Sequence, residues 1–349
     1  VSNAAWETLS NQALVVCGAV YFLALLSHLI EWSALRKLPA SVGSVTAPAE
    51  SGRVRGGVAV ATGGPGDDTG EPVDEDAVRR TTLFGRLGLL LLILATAVHA
   101  VSLVSRGMAA DPNRVPWGNM FEFTLSATFV LSLGYLLVYR RYSLAWMGPI
   151  VAGVEVSVLM AAAIWLHDEV APLTEALDSP WLVIHVVSAV IATGAFTLGG
   201  IASVLYLLKE RAVAKGRTRG YLARVPSPAR LDVVSYRMHA FAFPVWTFAA
   251  LISGPIWAHQ AWASYWSWDP KEVWAFITWV IYAAYLHARA TAGWKGRNAA
   301  ILALVGLATL WFNFIGINFF SSTSQHSYAA PELGATSAVT APVSPGATG

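Results

Sequence analysis

The chain has 349 residues, of which 55% are hydrophobic and only 13% charged, with a net charge of +2 and a single cysteine. Its apolar runs repeatedly reach the roughly 20 residues that a helix needs to cross a bilayer, which excludes a soluble globule and points to a polytopic membrane protein. One cysteine, Cys17, excludes an intramolecular disulfide and a cysteine-based metal site, and it reads as a small buried core residue.

Apolar runs set against breakers predict eight helices, at about 12–35, 82–105, 120–139, 145–166, 181–208, 240–258, 273–291 and 299–320. The expected fold is therefore an all-α membrane helix bundle of about eight transmembrane helices. Residues 1–12 lack a basic n-region, so the first helix is expected to be retained rather than removed as a signal peptide. The expected organisation is an N-terminal transmembrane helix at 1–37, a disordered cytoplasmic linker at 38–80, a membrane domain at 81–328 and a disordered external tail at 329–349. The linker and tail are rich in Gly, Pro and Ala and have no apolar period.

Basic residues predict the orientation. Arg36 and Lys37 follow the first helix, Arg140 and Arg141 the third, Lys209 to Arg237 the fifth, and Arg289, Lys295 and Arg297 the seventh. In an eight-helix arrangement these loops share one side, which is cytoplasmic by the positive-inside rule. Both termini and the connection before the seventh helix then lie outside.

That connection, Trp257 to Trp279, holds six of the fifteen tryptophans: Trp257, Trp262, Trp266, Trp268, Trp274 and Trp279. An interfacial belt spreads its indoles over several helix ends, whereas this clustering suggests a flat platform for a large planar ligand. Within it, Asp269-Pro270 followed by Glu272 reads as a helix start with a capping box.

The expected topology sorts the eight histidines. His185, one turn into the fifth helix, and His326, just past the eighth, share the compartment of the tryptophans. His287 falls roughly 21 Å down the seventh helix, at inner-leaflet depth. An ionisable side chain there marks either a ligand or an imidazole hydrogen-bonded to a neighbouring helix. His28 and His99 lie within helices, and His167, His239 and His259 near ends or loops; all five read as structural, with His28 the most open because its depth is similar to that of His287.

These residues together resemble the System II cytochrome c biogenesis proteins of the CcsA/ResC type, called CcsB in some bacteria. Their tryptophan-rich WWD signature is matched by Trp262, Tyr265, Trp266, Trp268, Asp269, Pro270, Lys271, Glu272, Trp274, Ile277, Thr278, Trp279, Tyr282, Tyr285, His287 and Arg289. Ala263 stands where the family has Gly, a small-for-small departure expected to be inconsequential. The segment containing His185, the His326-Ser327-Tyr328 segment, and Asn119 to Glu122 match further family elements, so the likeness runs from about Leu83 to Tyr328.

The resemblance implies a protein that binds heme b non-covalently and transiently, moves it across the membrane, and presents it to the CxxCH thiols of an apocytochrome c. It also implies a ResB/Ccs1-type membrane partner and thiol-disulfide reductants of the same pathway. His185 and His326 are then expected as axial ligands of an external heme, with Trp262, Trp266 and Trp268 stacking on it. Asp269, Lys271 and Trp274 belong to the same expected site, Lys271 facing the propionates. His287 would ligate a second, intramembrane heme whose other ligand comes from the partner, or from His28. The expected location is a bacterial plasma membrane.

No nucleophile, general base, nucleic-acid-binding pattern or P-loop stands out, so any enzymatic role would be as part of a heme-attachment complex. Two other classes fit less of the sequence. A secondary transporter of small organic solutes would explain the helices but not the Trp cluster, and a b-type electron-transfer subunit would pair its histidines within helices.

Overall fold

A computed structural model of the chain describes residues 1–35, 74–170, 177–216, 221–321 and 324. The described residues form eight long helices: α1 (Asn3–Leu35), α2 (Glu75–Ala109), α3 (Met120–Tyr142), α4 (Ala145–Leu166), α5 (Pro180–Ala214), α7 (Pro228–Trp262), α8 (Pro270–Thr291) and α9 (Arg297–Phe320). A single turn, α6 (Tyr221–Arg224), lies between α5 and α7. The all-α bundle is as expected. Seven of the long helices are long and apolar enough to cross a membrane; α8 is the exception. Its 22 residues suffice for a crossing, but Lys271, Glu272 and Arg289 charge its ends, and its Trp and Tyr residues are amphipathic.

Helix starts follow local sequence. Asp74 accepts from Ala77 N and caps α2, Asn119 accepts from Glu122 N and caps α3, and Ser179 accepts from Trp181 N ahead of Pro180. Several helices outrun their apolar runs. α1 starts at Asn3 rather than near 12, and α2 at Glu75, so the last six residues of the expected linker are helical, while residues 36–73 lie outside the described residues. α7 starts at Pro228 rather than near 240, because the polar turn around Asp232 is paired inside the protein: Asp232 accepts two bonds from Arg289, at 2.7 and 3.0 Å. His239, expected near a helix end, is in consequence fully buried, its Nδ1 2.6 Å from Ser235 O.

Three helices contain a π segment that sequence reading did not foresee: Ala162–Leu166 in α4, Ala249–Ser253 in α7 and Phe312–Gly316 in α9. Such segments free or redirect carbonyl groups and bend the ladder, and they recur at functional sites.

The bundle has two halves. α1 packs along α2 and against α4, and α3 closes this half; α5 pairs with α7, and α8 and α9 pack together against them. Contact between α3 and α5 joins the halves. One end of the bundle gathers the Trp32–Tyr221 ring contact, the Tyr221 hydroxyl on Trp146 O, and the Arg224–Glu31 ion pair at 2.9 Å. The other end gathers Ser10 with Ser102, Ser179 with Gln260, and the Trp-rich connection. The helices thus alternate in direction, as the loop charges require.

His28, held open in sequence as a ligand, is enclosed in this packing. Its ring is sandwiched where Gly88 of α2 and Gly148 of α4 come so close that a Cβ on either would lie within 2.9 Å of it. Its Nδ1 sits 2.8 Å from Glu31 Oε2. His28 is therefore a packing group of the first half, and α1 and α8 belong to different halves, so the structure does not bring it to His287.

Candidate functional site

The site grows from a helix start. The capping box is formed: Asp269 accepts from Lys271 N at 2.8 Å, and Glu272 Oε2 accepts from Asp269 N at 3.2 Å and from Ser267 N at 2.9 Å. These bonds fold the Trp-rich connection back over the start of α8. Asp269 also accepts from Ser324 Oγ at 2.8 Å, which ties the chain beyond α9 to the same cap. Lys271 Nζ reaches across to α9 and donates to Asn318 Oδ1 at 2.9 Å.

The reversal needs two non-glycine residues in the left-handed region, Ala263 at φ 56° and Trp268 at φ 60°. Ala263 closes α7, its N–H bonding His259 O at 2.9 Å. A C-terminal left-handed position favours glycine, so the Ala-for-Gly departure is not inconsequential as expected but strains the turn. Trp268 carries the same strain on a large side chain that stays 71% exposed.

Behind the connection lies a cavity partly open to the surface, walled by α5, α7, α8, α9 and the Trp-rich loop, with Phe123 and Ala127 of α3 at one side. His185 stands in its wall. The imidazole Nδ1 is 3.0 Å from Ala249 O, and the ring lies nearly parallel to Trp257, at 12° and 5.8 Å between centroids. A carbonyl only accepts, so Nδ1 carries the proton and the lone pair is directed to Nε2; this is the orientation in which imidazole serves as a metal ligand. Ala249 belongs to the π segment of α7, and its oxygen also takes the Gly254 N–H and lies 3.2 Å from Ser253 Oγ. Gly254 provides clearance, since a Cβ there would stand 3.2 Å from the His185 ring.

The remaining walls are mainly aromatic and apolar. Trp246, Trp257, Trp266, Trp311, Phe123 and Phe314 contribute, with Lys271, Glu272 and Asn313 as polar members. Asn313 is buried, and its Oδ1 has no partner among the described residues. A second, smaller cavity adjoins the first and shares His185, Trp257, Lys271 and Phe314 with it; Trp117, Met120, Leu177 and Leu182 line its far side.

The expected flat platform is not formed. Trp266 and Trp268 stand edge to face at 87°, Trp257 and Trp262 at 65°, and Trp274 packs against Phe312 at 4.3 Å. Side chains leaving one tight reversal diverge, and each indole finds its own neighbour. Of the expected site residues, the structure brings together His185, Trp266 and Lys271 around the cavity, with Asp269 shaping it as a cap. Trp262, Trp268 and Trp274 lie off its wall. His326 lies outside the described residues; Ser324, two positions earlier in the sequence, is on the Asp269 cap.

His287 does not share the cavity. It is exposed on α8, on the outward stripe of Phe276, Val280 and Ala284, roughly 24 Å along the helix from Lys271. His99 and His239 are fully buried, His167 packs on Phe121 at 5.1 Å, and His259 stacks on Tyr265 at 4.2 Å. The element Asn119 to Glu122 borders the second cavity. There Glu122, fully buried, accepts from Arg106, Arg114 and Gly118 N and pins the loop before α3.

Sequence reasoning missed Trp246, Trp311, Asn313 and Phe314 as site residues. Trp257 lay in the Trp-rich stretch but was not assigned to the site. Asn313 could have been found, as an amide inside an apolar run; the others carry no signal that separates a cavity wall from a core.

The cytochrome C assembly protein family matches residues 117–324. The chain is 31% identical over 304 residues to a cytochrome c biogenesis protein CcsA of Synechococcus sp. (strain JA-2-3B'a(2-13)), covering 70% of this chain and 86% of that protein. It is 35% identical over 267 residues to the CcsA of Parasynechococcus marenigrum (strain WH8102), covering 68% and 85%. With the CcsA of Porphyra purpurea the identity is 33% over 290 residues, covering 72% and 90%.

Proposed function

The chain belongs to the cytochrome c assembly protein family, and from that premise we propose that it holds heme b non-covalently at the His185 cavity and presents it for attachment to an apocytochrome c. A role in cytochrome c biogenesis follows from the family, and a multi-pass membrane location from the seven apolar spans. The finer reading rests on one observation above the others: a buried carbonyl holds the His185 imidazole in the tautomer that ligates metal, at the wall of a largely aromatic cavity.

The residues present fit heme. A flat apolar macrocycle gains most of its binding from burial against Trp257, Trp266 and Phe314. Its two propionates need cations or N–H donors, and Lys271 supplies one cation at the cavity wall. His185 provides a neutral axial nitrogen, and His326, following the Ser324–Asp269 tether, is the proposed second axial ligand. When bound, heme supplies the vinyl carbons to which the two CxxCH sulfurs add. The protein's own work is to orient the ring and exclude water while keeping the attachment reversible until those bonds form.

His287 is proposed as a ligand of an intramembrane heme. Its exposed position on α8 suits a second ligand from a ResB/Ccs1-type partner packed on that stripe. In this reading the Trp-rich loop and both termini lie outside the plasma membrane, which the distribution of loop charges supports.

The test is cytochrome c maturation in cells that depend on this chain, read as heme covalently attached to the cytochrome. His185→Ala and His326→Ala should each abolish it. Imidazole in the medium should restore part of it, because the small ligand can occupy the vacated axial position. Full maturation in His185→Ala would remove that residue from the site.

A further inference from the structure

The half of the bundle built from α1 to α4 contributes only Phe123 and Ala127 of α3 to the wall of the His185 cavity, yet its interior is lined with ionisable and hydroxyl groups at successive depths. At the end where α6 packs, His28, Glu31 and Arg224 form a chain, with contacts of 2.8 and 2.9 Å. Seven residues along α1 from His28, and seven along α4 from the adjoining Gly148, lie Tyr21 and Glu155, about 10 Å further in. Glu155 is fully buried, and neither carboxyl oxygen has a hydrogen-bond partner among the described residues. At this level the Tyr21 hydroxyl donates to Ser132 Oγ at 2.9 Å and lies 3.3 Å from Thr96 Oγ1.

The next turn of α2 brings His99. It too is fully buried, with neither ring nitrogen partnered among the described residues, and its ring meets Tyr21 edge-on at 6.1 Å. Ser102 follows, paired with Ser10 at 2.9 Å, and then Arg106 with Glu122 and Arg114 at the Trp-loop end. Beside Glu155, the titratable groups brought by the neighbouring helices are Cys17 and Tyr21 from α1; His99 of α2 lies beyond Tyr21, and Tyr135 of α3 lies at the level of His28 and Gly148. α4 itself carries no other.

Structural roles account for the two ends, where Glu31 and Glu122 are paired with arginine. They do not account for the middle. An unpartnered buried polar group costs about 1–3 kcal/mol where an apolar side chain would cost nothing, and a charged one costs more. Intramembrane acids and histidines in series are the usual material of proton relays.

We propose that this half-bundle is a proton-transfer column with Glu155 as its proton-bearing site in mid-membrane. At rest Glu155 is the neutral acid and His99 the neutral imidazole. The Glu155 O–H breaks as its proton passes to His28, where a new Nε2–H forms while the proton between His28 Nδ1 and Glu31 leaves toward the α6 end. A new O–H forms with a proton delivered from the Trp-loop end through His99, Thr96, Tyr21 and Ser132. Each intermediate group exchanges one O–H or N–H bond for another; one proton crosses and no electron moves. The proposal is independent of the heme reading.

Infrared spectroscopy of the full chain in lipid vesicles tests it. Wild type should show a carboxylic-acid carbonyl band that vanishes in Glu155→Gln, shifts in Glu155→Asp, and moves on transfer to D₂O. Tyr21→Phe and Ser132→Ala should slow that exchange roughly tenfold, equivalent to one step's loss of about 1.4 kcal/mol, while Ser203→Ala in the other half should leave it unchanged. Under an inside-negative potassium diffusion potential, wild-type vesicles should acidify internally faster than Glu155→Gln vesicles. No band assignable to Glu155, exchange indifferent to Tyr21 and Ser132, or equal acidification rates would each overturn the column.

Discussion

Ala249 contributes only its carbonyl, yet that oxygen decides what His185 can do. Residues 249–253 leave the α-helical register, and the oxygen serves the Gly254 N–H and the His185 ring together. Gly254 must remain small for this, because a larger side chain presses on the carbonyl and the imidazole at once. Gly254→Val should therefore weaken heme binding by about tenfold, as a push of this kind costs about 1–3 kcal/mol; a heme titration of the purified variant would read it. The opposite sign is expected one loop later. Ala263 sits at φ 56°, so Ala263→Gly should raise stability by roughly 1 kcal/mol, seen as a higher thermal midpoint with unchanged heme content. His185 was legible in the sequence because its neighbours match a known pattern and its position near a helix end follows from counting. The tautomer was not, since it depends on a π segment that packing, rather than local sequence, creates.

At the scale of elements, polar helix ends decide the geometry. The Asp269 cap holds the first turn of α8 and also receives Ser324. Asp269→Ala should cost about 1 kcal/mol as a lost cap, and, under the proposed function, reduce maturation more than that loss alone, because the tether leading to His326 goes with it. Asp269→Asn, which can still cap, should retain stability and a larger share of maturation. Glu122 anchors the opposite wall by pairing with Arg106 and Arg114 in a buried site. Glu122→Ala would leave buried guanidinium groups uncompensated and should cost about 3–5 kcal/mol, measured as loss of the folded protein in detergent. The pattern Asp-Pro-x-Glu disclosed the cap in sequence because capping is local. The Glu122 network stayed hidden because its partners are 16 and 8 residues away, across a loop without periodicity. The starts of α1 and α7 are placed too late for a related reason: an apolar window ends where charges begin, although in α7 Asp232 is paired within the protein.

Over the whole molecule, alternating loop charges and apolar runs made the eight-helix bundle readable, since span length and charge asymmetry are properties of the chain itself. How the helices divide was not readable. The partition into two halves puts His28 and His287 apart, leaves His287 on an outward face, and gives the cavity walls mainly from α5, α7, α8 and α9, with α3 at one side and the Trp-rich loop over it. It also sends the clustered tryptophans to different neighbours, so the cavity walls draw as much on Trp246 and Trp311 as on the loop. The most direct measurement is a pyridine-hemochrome absorption assay on the purified protein after addition of heme, comparing wild type with His185→Ala. Wild type should retain extractable b-type heme, and His185→Ala should lose most of it and recover part with imidazole. Equal heme retention in both proteins would contradict a heme site at His185.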